Sequence, residues 1–124
     1  PTLSEYAIAE FMSGGGYDPY LRRIRRTYAR RVAALSQAVR RFFPEETRLT
    51  RPTGGFVLWV QLPESVDSLV LYKRALESGI AITPGYLFSP TVQYRNFIRL
   101  NAANWSDEAE WSVERLGELI VTQM

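Results

Sequence analysis

A chain of 124 residues, 46% of them hydrophobic, is the size of one domain and carries enough apolar surface for a core, which argues against intrinsic disorder. Cysteine and histidine are both absent, which excludes disulfides, thiol nucleophiles, imidazole bases, Ser-His-Asp and Cys-His arrangements, and most zinc sites. The net charge is +2 and the pI about 9.2; the longest apolar run, Phe56 to Val60, is far short of the roughly 20 residues of a membrane span, and no signal peptide is visible.

The start at Pro1, with no initiator Met, leads to the expectation of a fragment of a longer chain, and the lack of cysteine fits a reducing, cytoplasmic setting. The charge is unevenly placed. Arg22, Arg23, Arg25, Arg26, Arg30, Arg31, Arg40 and Arg41 fall in one stretch, while Asp107, Glu108, Glu110, Glu114 and Glu118 gather near the other end. Lys73 is the sole lysine.

In chain order, Thr2 or Ser4 caps a short helix with Leu3, Ala7, Phe11 and Met12 on one side, ended by Gly14-Gly15-Gly16. A long helix is expected from Asp18, with Pro19 at its first position. Its apolar stripe is Leu21, Ile24, Tyr28, Val32, Leu35, Val39 and Phe42; the arginines fall off this stripe, and Pro44 stops the helix. Arg51 to Gly55 reads as a turn, and Phe56 to Leu62 as a strand closed by Pro63. Asp67 or Ser68 opens a third helix with Leu69, Tyr72 and Leu76 on one face, ended by Gly79. Ile80 to Thr83 is a short strand that stops at Pro84-Gly85. Asn96 to Ala102 is another strand, with Phe97 and Arg99 on one side and Ile98, Leu100 and Ala102 on the other. Ser106 caps a last helix that buries Ala109, Val113, Leu116 and Ile120. The pattern predicts one α+β domain over residues 1–124, a small mixed sheet with helices packed mainly on one face.

Arg99 stands out because it sits among apolar neighbours, and a guanidinium suits bidentate binding of a carboxylate. The competing reading is a solvated or internally paired arginine. The cluster from Arg22 to Arg41 is either a nucleic-acid footprint or a solvated helix face paired with acids elsewhere. Neither Gly14-Gly15-Gly16 nor Gly54-Gly55 has phosphate-loop spacing. Lys73 reads as a surface residue, and Trp111, off its helix's stripe, as half-exposed or as a contact to a further domain.

Four stretches taken together resemble a known family: Tyr17 to Arg26 with Tyr28, Arg30 and Arg31; Pro52 to Trp59; Gly79 to Gly85 with Phe88; and Phe97 to Asn101. Their order and spacing are similar to the C-terminal small domain of MocR-type regulators of the GntR superfamily, which join a winged-helix DNA-binding domain to a fold-type I, pyridoxal-phosphate-dependent aminotransferase-like domain. Two positions depart from the family: Tyr20 stands where a histidine is frequent, and Asn101 where glycine is usual. The resemblance implies that Arg99 binds the carboxylate of an amino-acid substrate or effector. It implies that Gly54, Gly55, Pro84 and Gly85 shape the cleft. The pyridoxal phosphate and its imine lysine would belong to a large domain preceding Pro1, so no cofactor binding and no transamination are expected of this chain alone. The expected partners are that large domain, an amino-acid-like effector, DNA through the winged helix, and a second copy in a homodimer. A stand-alone metabolic aminotransferase and an independent α+β binding module are the alternatives.

Overall fold

The computed structural model describes residues 17–50, 55–87, 92–103 and 105–124. The helix expected near Leu3 to Met12, its glycine stop, Arg51 to Gly54 and Phe88 lie outside the described residues. Helix α1 runs Tyr17–Phe42, β1 Arg48–Thr50, β2 Val57–Gln61, α2 Ser68–Glu77, β3 Thr83–Pro84, β4 Phe97–Asn101 and α3 Asp107–Val121, with short 3-10 turns at Gly85–Leu87 and Val92–Tyr94.

Helix α1 follows its apolar stripe. Leu35 and Val39 are buried in the core, whereas Leu21, Ile24, Tyr28 and Val32 are half-buried, so the first half of the helix reaches beyond the core. Asp18 in the first turn and Arg40 and Arg41 in the last complement the helix dipole. All eight arginines are exposed, as the stripe demands.

The four strands form one sheet in the order β1-β2-β4-β3, and every pairing is antiparallel. The α+β class is as expected, but the sheet is antiparallel and not mixed. The strand β1 was not anticipated, because Leu49 is its one apolar residue and its pairing with β2 defines it. The expected strand over Ile80 to Thr83 is displaced to Thr83–Pro84. Pro84 is tolerated there because β3 is an edge strand.

Alternation in β2 and β4 divides the sheet into two faces. Leu58, Val60, Ile98 and Leu100 point into a core shared with Leu35, Val39, Leu71, Val113, Leu116 and Ile120 of the helices. Val57, Trp59, Phe97 and Arg99 take the other face. At the far side of the core, α3 runs so close to the end of α1 that a Cβ at Gly117 would come within 2.2 Å of the Phe42 carbonyl oxygen.

Helix α2 is rolled differently from expectation. Its buried residues are Ser68, Leu71 and Ala75, while Leu69 and Leu76 are 41% and 47% exposed. Both sets have helical spacing. Asp67 fixes the roll: its carboxylate accepts from the Leu69 and Val70 amides (2.8 and 3.3 Å) and from the Tyr86 hydroxyl (3.1 Å), while its backbone amide and carbonyl both bond the Gln123 side chain (2.9 and 3.2 Å). Gly79, at φ +76°, ends the helix with a Schellman pair, Gly79 N–H to Leu76 and Ile80 N–H to Ala75. In α3, Ser106 is the cap as expected; Val113, Leu116 and Ile120 are buried, joined by Leu119, while Ala109 is half-buried and Trp111 is 57% exposed.

Candidate carboxylate-binding site

Arg99 lies at the middle of β4, an interior strand, directly opposite Trp59 of β2 on one side and Thr83 of β3 on the other. Because Ile98 and Leu100 are committed to the core, the period of two sends Arg99 to the face that the helices leave uncovered, where it is exposed. It is therefore not a charge inside the core, and its desolvation cost is correspondingly small.

Beside it on the same face is an aromatic cluster. Trp59 and Phe97 have ring centroids 5.5 Å apart, Trp59 and Tyr94 5.7 Å, and Tyr94 and Phe97 5.3 Å with planes at 90°. Such offset and edge-on contacts stabilise a cluster beyond its buried area. Pro84 and Gly85 close this side. A Cβ on Gly85 would meet the Tyr94 carbonyl oxygen at 2.3 Å and the Phe97 carbonyl oxygen at 2.9 Å, so glycine is what lets the turn approach β4. At the other end of the strands, Gly55 enters β2 at φ +82°, a backbone region side chains disfavour. Gly55 and Gly85 thus sit at opposite ends of the sheet with Arg99 between them; Gly54 lies outside the described residues.

Tyr86 follows the same turn. Burial, and its hydrogen bond to the Asp67 carboxylate, raise its phenol above the ordinary 10.0. A cavity of about 250 Å³ opens where β3 stops pairing, bordered by Ile80, Ile82, Leu100, Trp105 and Val113 and also by Thr83 and Arg99. Among the described residues no group of acids could hold a metal ion, and no helix is long and apolar enough to cross a membrane.

No family model matches the chain. The HTH-type transcriptional regulator YjiR of Escherichia coli is 34% identical over 98% of this chain and 26% of its own length. The crystal structure of LysN, the alpha-aminoadipate aminotransferase of Thermus thermophilus, complexed with N-(5'-phosphopyridoxyl)-L-leucine, superposes with a TM-score of 0.76 at 35% identity, over 87% of this chain and 28% of that one. The multiple substrate aminotransferase of Thermococcus profundus superposes with a TM-score of 0.81 at 31% identity, over 93% of this chain and 29% of that one. These regulators and enzymes match the chain along nearly its whole length, which makes it similar to the aminotransferase-like part they share. The chain spans about a quarter of the length of the curated regulators it matches.

In this aminotransferase-like domain Lys73 is exposed on α2, in the helical layer behind the sheet, across the core from Arg99. An imine to pyridoxal phosphate needs a lysine amine inside a cleft. Lys73 does not fit that role. Sequence reasoning missed Trp59, Tyr94 and Phe97 as a cluster. The alternation around Trp59 carried the signal for its face, but its partnership with Phe97 needs the register of β2 against β4.

Proposed function

We propose that this domain is the effector-sensing part of an aminotransferase-like domain in a GntR/MocR-type transcription regulator, with Arg99 holding the carboxylate of an amino-acid ligand. The observation that carries the reading is the placement of Arg99 on the uncovered sheet face, beside Trp59 and the Pro84-Gly85 turn. A guanidinium there offers a planar pair of donors to a carboxylate arriving from that side. The aromatic cluster shields the pair from water on one flank. The large domain of the parent would supply pyridoxal phosphate and its lysine on the opposite side of the cleft, where the cofactor would provide an aldehyde for the ligand's amine. Ligand binding across that cleft would draw the two domains together, and that closure is the switch passed to a winged-helix domain on DNA. The parent would be a cytoplasmic homodimer.

The similarity to LysN favours a second reading, the small domain of a stand-alone aminotransferase. Arg99 serves the same purpose in both. The reading frame ahead of Pro1 separates them: a winged-helix segment supports the regulator, and a large domain without one supports the enzyme. For Arg99 itself, Arg99→Ala in the parent should weaken amino-acid binding, followed by calorimetry, by roughly 10- to 100-fold, the worth of a charged hydrogen-bonded pair. Arg99→Lys should restore only part of it, since the fork is lost. Unchanged affinity in Arg99→Ala would remove the carboxylate role.

A further inference from the structure

Helix α1 carries eight arginines and a single acid, Asp18. If this were a solvated face balanced by acids elsewhere, the fold would bring acids to it. Among the described residues it brings one: Arg41 pairs with Glu110 at 3.4 Å. Arg31, exposed like the others, donates to the Ala103 carbonyl and lies 5.8 Å over the Phe56 ring. Arg22, Arg23, Arg25, Arg26, Arg30 and Arg40 make no ion pair with an acid among the described residues.

Three of these repeat at a spacing of four. Arg22, Arg26 and Arg30 therefore stack on one face, about 6 Å apart along the axis. Arg26 lies two positions from both Ile24 and Tyr28, and Arg30 two from both Tyr28 and Val32, about 200° round the helix from the apolar stripe. Whatever covers the half-buried Leu21, Ile24 and Tyr28 leaves this ridge pointing away from it. Arg23, Arg26 and Arg30, with Pro19 and Ala29, line a shallow groove along it. Like charges four apart destabilise an isolated helix, so the ridge is held at a cost that a bound polyanion would relieve. The residues are arginines, whose forks match phosphate oxygens, and the ridge carries no asparagine, glutamine or acid of the kind that reads adenine or cytosine edges.

We propose that Arg22, Arg26 and Arg30 form a phosphate-binding ridge that grips the backbone of duplex DNA flanking the site bound by the parent regulator. The proposal rests on the regulator reading above and adds a second, sequence-independent DNA contact to it. Such a contact lengthens the bound segment, steepens the salt dependence and leaves the choice of sequence to the winged helix.

The test uses the full-length parent, with a long duplex from its own upstream intergenic region and the same duplex trimmed to the footprint. Fluorescence anisotropy is followed against KCl concentration. The triple variant Arg22→Gln, Arg26→Gln, Arg30→Gln relieves charge repulsion in an exposed face, so folding is preserved, and circular dichroism checks this. On the long duplex its slope of log affinity against log salt should be shallower by about 3, near 0.9 per lost phosphate contact. On the trimmed duplex it should match the unaltered protein. Lysine at the three positions should retain the slope. An unaltered slope on the long duplex, with binding otherwise intact, overturns the ridge and leaves the regulator standing. Loss of salt-dependent self-association in place of DNA binding overturns it in favour of an acidic protein face. A parent that binds neither duplex overturns the regulator reading and the ridge with it.

Discussion

Two polar side chains in the α2 region make opposite contributions. The Tyr86 phenol donates to the Asp67 carboxylate at 3.1 Å, and its proton is held more tightly in the fold than in the unfolded chain. The unfolded chain therefore loses that proton first as pH rises. The stabilisation is complete below pH 10.0 and drains away above it. Tyr86→Phe should lower stability at neutral pH by about 1 kcal/mol and flatten the alkaline decline, measured as urea midpoints between about pH 8 and 11. A decline as steep in the variant would assign the effect to other groups. Ser68 is the reverse case: its hydroxyl is fully buried with no hydrogen-bond partner among the described residues. Ser68→Ala should stabilise by roughly 1 kcal/mol, raising the urea midpoint with no change in slope. A loss of stability would mean that the hydroxyl is satisfied in solution.

At the scale of elements, the contact between α1 and α3 depends on the absence of a side chain. A methyl at Gly117 would meet backbone at Phe42, which cannot swing aside as a side chain can. Gly117→Ala gains helix propensity, about 1 kcal/mol, but forces the helices apart and should cost about 2 kcal/mol net. Thermal unfolding that shows an unchanged or higher midpoint would show that the pair slides without penalty. The same scale shows what a sequence can disclose. The seven-position stripe of α1 is long enough to fix its roll, and it holds. The ten residues of α2 offer two stripes, Leu69-Tyr72-Leu76 and Ser68-Leu71-Ala75, with the same period. Bonds from Asp67 to Gln123 and Tyr86 select the second, and pairing across 56 and 19 residues leaves no trace in local periodicity. The three residues of β1 likewise acquire strand character from β2.

For the whole molecule, the division into a covered and an uncovered sheet face was legible from the alternation of Phe97 to Ala102, and with it the side on which Arg99 stands. The family resemblance carried by the four stretches held, since regulators and aminotransferases match the chain along almost its full length. The aromatic cluster and the closeness of Gly85 to β4 were not legible, because both depend on which strands become neighbours. That neighbour relation bears on how the domain comes into being. Its central pair, β2 with β4, joins residues roughly forty positions apart, with α2 and β3 lying between them in the chain. No tight hairpin can seed such a pair. The search for it, and not helix formation, should limit the rate at which a newly made chain acquires its sheet, on a scale of milliseconds or longer. Throughout that interval the unsatisfied edges of β2 and β4 are the surfaces most in need of protection from other chains.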